Sequence, residues 1–192
     1  MSATNQAKKT ARALIDERLA RLGGEERGLA DQRVCRAVES LRDYEAAQQV
    51  VAYLALRDEV CMRSLLAAAV ASGKQVYVPV VGPAGTLTFS RWLPESKLKR
   101  SDLGVEEPLT GDSPQARPTL SIIPGRAFDR SLNRLGRGGG YYDRAMSELE
   151  RLGPTVGVAY ECQLVDSVPT DSTDRPVGLL VTDAAVYRAN AD

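Results

Sequence analysis

The sequence predicts an α/β fold: a single three-layer αβα domain over residues 1–192, built on a mostly parallel open sheet with Rossmann-like strand–helix–strand units. Three observations predict it. A chain of 192 residues can bury one sizeable core and is too short to argue for two. Short apolar runs twice enclose a helical pattern, at 49–56, 62–72 and 75–81 and again at 120–123, 141–152 and 155–160. Turn residues fall at the ends of these runs, as Gly73, Pro124-Gly125 and Gly153-Pro154. Such units cross over right-handed and pair their strands in parallel.

Taken in order, residues 7–22 read as a helix with Leu14, Ile15, Leu19 and Leu22 on its apolar side, broken by Gly23-Gly24. A second helix spans about 25–42, its acidic first turn favoured by the macrodipole and its stripe formed by Ala30, Val34, Ala37, Val38 and Leu41. Residues 49–56 read as a buried strand, 62–72 as a helix closed by Gly73, and 75–81 as a second strand. After a turn at 82–85, residues 86–92 alternate like a half-buried strand whose Phe89 and Trp92 are read as core. Residues 97–118, with prolines at 108, 114 and 118, read as a loop. A short strand at 120–123 follows, then a helix at 141–152, a strand at 155–160, a polar loop at 168–176 and the last clear strand at 178–182. There is no internal repeat or interdomain linker.

Composition removes several classes of function. Charges balance at 25 against 25, which gives no electrostatic reason to expect nucleic acid or a membrane as partner. No apolar run approaches the ~20 residues that span a bilayer. Cys35, Cys61 and Cys162 are odd in number and widely spaced, which suits a reducing, cytoplasmic setting. With no histidine, Ser-His-Asp and Cys-His catalysis and His-containing zinc sites are excluded. Phosphoryl transfer, which relies on positioning and electrostatics, suffers least from that lack.

The stretch 133–144, Asn-Arg-Leu-Gly-Arg-Gly-Gly-Gly-Tyr-Tyr-Asp-Arg, is least explained by folding alone. A glycine run feeding a helix exposes amide N–H groups at the positive end of the macrodipole, which suits phosphate. Arg134 and Arg137 add charge-assisted donors. The stretch lacks the Gly-Lys-Ser/Thr ending of a P-loop, and Tyr141 stands where the dinucleotide fingerprint has its third glycine. A plain surface turn is the other reading of the same residues.

Pro124-Gly125-x-Ala127-Phe128-Asp129 followed by Asn133-Arg134-Leu135-Gly136-x-Gly138-Gly139-Gly140-Tyr141-Tyr142-Asp143-Arg144 closely resembles the signature of the 5-formyltetrahydrofolate cyclo-ligase family. The resemblance runs in order from Lys8 to about Thr182. It implies ATP-dependent cyclisation of 5-formyltetrahydrofolate to 5,10-methenyltetrahydrofolate, with ATP and Mg²⁺ as cofactors, in a cytoplasmic monomer. Lys8 and Arg12, four apart on one helix face, fall on the family's ATP-binding pair. The resemblance further places Arg134, Gly136, Arg137, Gly138, Gly139, Gly140 and Tyr141 on the nucleotide, and Tyr53, Leu54, Glu59 and Tyr142 on the folate. Asp143 and Asp174 are implied as Mg²⁺ ligands, with Asp171 a rival for the latter, and Arg134, Tyr142 and Asp143 as the catalytic group. Bland alternatives exist for several: a solvated face for Lys8 and Arg12, and helix capping for Glu59 and Asp143. The chain departs from the family at Cys61-Met62, Arg126, Leu132 and Thr173. If position 132 needs positive φ, the turn is expected to rearrange so that Asn133 takes that role. Two other functions fit the same loop: a sugar-phosphate isomerase or CoA-transferase-like enzyme working without ATP, and a catalytically silent folate- or nucleotide-binding regulator.

Overall fold

Seven strands form one sheet in the order β11-β10-β9-β6-β1-β2-β3. Their ranges are β1 (Gln49–Val51), β2 (Gln75–Val81), β3 (Leu87–Trp92), β6 (Thr119–Pro124), β9 (Thr155–Val158), β10 (Leu179–Val181) and β11 (Val186–Arg188). Only the two edge pairs, β2 with β3 and β10 with β11, are antiparallel; every internal pair is parallel. The computed structural model describes residues 3–109 and 111–189; positions 1, 2, 110 and 190–192 of the expected domain lie outside the described residues. Among the described residues, no helix is long and apolar enough to cross a membrane.

Successive strand residues face opposite sides of a sheet, and here they sort into two apolar clusters. Val50, Val76, Leu120, Ile122 and Val156 pack with Ile15, Val34, Val38, Leu65 and Leu66, which belong to α1 (Ala3–Arg21), α2 (Gly24–Glu39) and α4 (Arg63–Ala71). Val51, Tyr77, Ile123 and Leu180 pack on the other side with Met146 and Leu149 of α5 (Tyr141–Leu152). The result is helix, sheet, helix in three layers, as the strand–helix–strand pattern predicts.

The crossovers set the position of the site. From β1 the chain moves through α4 to β2 on one side, and later returns to place β6 and then β9 on the other side of β1. The strand order therefore reverses between β1 and β6, and a crevice opens there at the carboxyl ends of the parallel strands.

Several expectations need correction. The first strand ends at Val51 rather than residue 56, because Tyr53 and Leu54 leave the sheet to wall the crevice and the Tyr53 hydroxyl donates to the Val60 carbonyl at 3.0 Å. The helix expected to 42 stops at Glu39, and a separate short helix α3 (Arg42–Ala46) follows once Leu41 turns extended. Residues 97–118 are not all loop: β4 (Leu98–Arg100) and β5 (Glu106–Pro108) form a hairpin. Buried Glu107 fixes that hairpin to the sheet by accepting from the Val81 amide at 3.0 Å. A two-strand ladder, β7 (Ala127–Phe128) with β8 (Arg134–Leu135), also precedes the glycine loop. The strand expected as the last is followed by β11.

Leu132 itself takes the left-handed conformation, with φ 64°, so Asn133 does not assume that role. The turn is over-determined by its surroundings. The Leu132 side chain is buried, and the Asp129 carboxylate accepts from the amides of Ser131, Asn133 and Val168 and from the Asn133 side chain, each within 3.0 Å.

Candidate active site

The glycine loop leaves β8 and ends at Gly140, which caps α5 in the left-handed region at φ 64°. A side chain there would be strained, and its Cβ would lie 2.8 Å from an Arg144 nitrogen. No side chain caps α5, so its leading amides face outward beside the dipole's positive end.

This loop is the wall between two cavities. One, of about 350 Å³, lies at the switch point and is lined mainly by apolar groups, among them Tyr53, Leu54, Leu56, Leu87, Pro124 and Tyr142. The other, of about 560 Å³, is polar and is lined by Lys8, Arg12, Arg144, Asp171, Asp174 and Arg175. Gly136, Gly140 and Asp143 line both. Lys8, Arg12, Gly138 and Asp174 lie on the polar side, while Tyr53, Leu54, Glu59, Arg134, Arg137, Gly139, Tyr141 and Tyr142 lie on the apolar side. The sequence candidates thus converge, though Arg134 and Arg137 stand on a different side from Lys8 and Arg12.

Helix α1 supplies the polar cavity. Arg12 donates through Nε to the Gly136 carbonyl at 2.8 Å, holding the loop from outside. Lys8, buried, donates through Nζ to Asp171 at 2.7 Å and to Asp174 at 2.5 Å. Burial pulls the Lys8 pKa down, but the two carboxylates outweigh it and the pKa is raised. The Lys8 hydrogen bond, helped by Thr173, holds Asp171 below the usual carboxylate range. Asp171 and Asp174 share one cation, Lys8.

On the apolar side, Arg134 is 3% exposed and donates to Asp143 at 2.5 Å. Arg134 Nε and the Tyr142 hydroxyl are buried, with no hydrogen-bond partner among the described residues. Burial, then the charge of Glu59, pushes the Tyr142 pKa up, so the phenol is neutral near pH 7. Glu59 accepts from the Leu56 amide at 2.9 Å and from Arg137 Nε at 3.0 Å. Arg137 also pairs with Asp58, which pairs in turn with buried Arg126. Sequence reasoning missed Asp58 and Arg126. The departure at Arg126, a charge where an apolar residue is common, was the available signal.

Among the described residues no three carboxylate, cysteine or histidine groups gather as a metal cage. Asp143 and Asp174 nevertheless border one polar cavity, and Mg²⁺ commonly takes one or two carboxylates together with substrate phosphates. The donor set fits that mode, provided the cations now paired with these two carboxylates share them.

A crevice at the reversal point of a parallel sheet, walled by a glycine loop at a helix N-terminus, is the arrangement in which α/β enzymes of open-sheet type place their ligands. The chain belongs to the 5-formyltetrahydrofolate cyclo-ligase family, whose model matches residues 4–183. It is 32% identical over 154 residues to a 5-formyltetrahydrofolate cyclo-ligase of Haemophilus influenzae, covering 77% of this chain and 82% of that one. An Escherichia coli protein of the same name is 35% identical over 147 residues, covering 73% and 81%. The solved structure of Aquifex aeolicus 5,10-methenyltetrahydrofolate synthetase superposes with a TM-score of 0.82 at 29% identity, covering 100% of this chain and 95% of that one.

Proposed function

We propose that the chain catalyses ATP- and Mg²⁺-dependent closure of 5-formyltetrahydrofolate to 5,10-methenyltetrahydrofolate, releasing ADP and phosphate. An N-formyl oxygen is a poor leaving group. Transfer of the terminal phosphoryl group to that oxygen lets it depart as phosphate once the amine N10 of the same molecule has attacked the formyl carbon, the N10 proton passing to the departing phosphate. Having amine and carbon in one molecule supplies the advantage of proximity. The enzyme's task is to align the phosphoryl group with the formyl oxygen and to offset charge.

The observation that supports this reading best is the shared wall. An apolar cavity suited to a ring system and a polar cavity carrying Lys8, Arg12, Arg144 and Arg175 meet at Gly136, Gly140 and Asp143. In this reading Lys8, Arg12 and the loop amides receive the nucleotide phosphates. Tyr53, Leu54, Glu59 and Tyr142 receive the folate, and Tyr142 and Arg134, which line the same cavity, each carry a buried donor without a partner among the described residues. Asp143 and Asp174 would hold Mg²⁺, which supplies charge neutralisation on the transferring phosphates. None of these residues need act as a general base. The free cysteines and balanced charge favour a cytoplasmic setting, and we read residues 1–192 as one functional unit.

The test is the absorbance change on methenyltetrahydrofolate formation, measured with ATP and Mg²⁺ together and with each withheld. Product only in the complete mixture is expected. Equal turnover without ATP, or none in the complete mixture from well-folded protein, overturns the reading.

A further inference from the structure

The charges behind Glu59 form a chain that runs from α1 to the wall of the apolar cavity. Asp16 of α1 and Asp58 of the 57–59 turn both pair with the Arg126 guanidinium. Asp58 offers its second oxygen to Arg137, whose Nε reaches Glu59 at 3.0 Å. Arg126 is the buried member, at 4% exposure, and its main chain is fixed at both ends. Its amide donates to the Leu135 carbonyl at 2.7 Å, and its carbonyl accepts from the Gln163 side chain at 3.0 Å.

A buried ion pair is weak evidence for stability, since desolvation offsets most of the attraction. Here burial, then repulsion from Arg137 and Arg12, lowers the Arg126 pKa to about 10, so the guanidinium stays charged at neutral pH. An apolar side chain of similar length would pack at this position without that penalty. The geometry gives the charge another use. Asp58, Arg137, Glu59 and Arg126 are each gripped at two points, and Arg126 is the most deeply buried of the four. Without it, Asp58 would be a partly exposed carboxylate on a turn, tied only to Arg137, which is itself partly exposed.

We propose that Arg126 is a positioning residue for Glu59, acting through Asp58 and Arg137, and fixes the carboxylate on the folate-side cavity before substrate arrives. The inference rests on the reading that Glu59 meets the folate. It also gives Arg137 a place on the folate side, distinct from the phosphate role that the resemblance implies for it.

The test compares Arg126→Met with the unsubstituted chain, measuring KM for 5-formyltetrahydrofolate and for ATP separately. The folate KM should rise about three- to tenfold, the weight of one hydrogen bond, with kcat and the ATP KM within about twofold. Arg126→Lys should recover part of the loss. Added to Arg137→Met, Arg126→Met should raise the folate KM no further, because the relay is already cut. Equal rises in both KM values, a lower melting temperature with unchanged KM, or additive effects in the double variant would overturn the proposal. Asp16 is largely exposed and can be solvated alone, so folding should survive. If it does not, Asp58→Asn cuts the same relay while leaving Arg126 beside Asp16, and an unchanged folate KM there would also overturn it. Glu59→Gln separates the two levels. An unaffected folate KM in that variant removes the underlying reading, whereas a raised one alongside an unaffected Arg126→Met removes only the relay.

Discussion

Arg134 and Asp143, nine residues apart, close the glycine loop upon itself through a 2.5 Å contact from the start of β8 to the first turn of α5. The arginine is buried and the aspartate borders both cavities. One carboxylate therefore serves the loop's shape and the site assigned to Mg²⁺.

Asp143→Ala should lose both roles together. Removing Asp143 leaves the buried Arg134 guanidinium without its carboxylate, and unfolding free energy should fall by about 3 kcal/mol. Denaturant titration checks this, alongside loss of Mg²⁺-dependent turnover. Full activity at unchanged stability would separate Asp143 from both.

Tyr142→Phe should move stability and activity in opposite directions. The hydroxyl it removes is buried and unpartnered, and such a group costs about 1–3 kcal/mol, so the melting temperature should hold or rise. Turnover should drop if that hydroxyl meets the folate. Calorimetry and the methenyl absorbance assay together decide it.

Lys8→Met should raise the ATP KM by about tenfold or more, the scale for losing a charge-assisted contact, and leave the folate KM alone. It should also alter the acid limb of stability. Asp171 has a folded pKa depressed chiefly by Lys8, so its stabilisation is full above about pH 4, its ordinary value, and is lost as pH falls below that. Without Lys8 that portion of acid sensitivity should disappear. Melting curves across the acid range measure it.

At position 132 the usual order of two substitutions should invert. Both Leu132→Ala and Leu132→Gly lose a buried side chain, but only glycine is at ease with φ 64°. Leu132→Gly should be more stable than Leu132→Ala by about 1 kcal/mol. Alanine the more stable of the two would show that the backbone there is not strained.

Where sequence pattern and local chemistry agreed, the elements were legible. Helix 141–152 and strand 75–81 lie as read, because Gly153-Pro154, Gly73 and Gly82-Pro83 mark their ends. The β4–β5 hairpin was not legible, since Glu106 and Glu107 look like loop residues until Val81 supplies a partner 26 positions away. The candidate residues of the site were named from the family resemblance, along the loop and in three segments outside it, but their pairings were not. Whether Arg137 meets a phosphate or Glu59 depends on which way the loop faces, and spacing along the chain carries no such information. Leu132 shows tertiary context overriding local preference.

Lys8, Arg12 and Asp16, each one turn apart on α1, fasten in succession to the 171–174 loop, to Gly136 and to Arg126. One helix thus closes contacts spanning up to 166 positions, from Lys8 to Asp174. Closing so long a stretch of chain costs entropy before any contact repays it, so the polar cavity takes shape only when the whole intervening fold is in place.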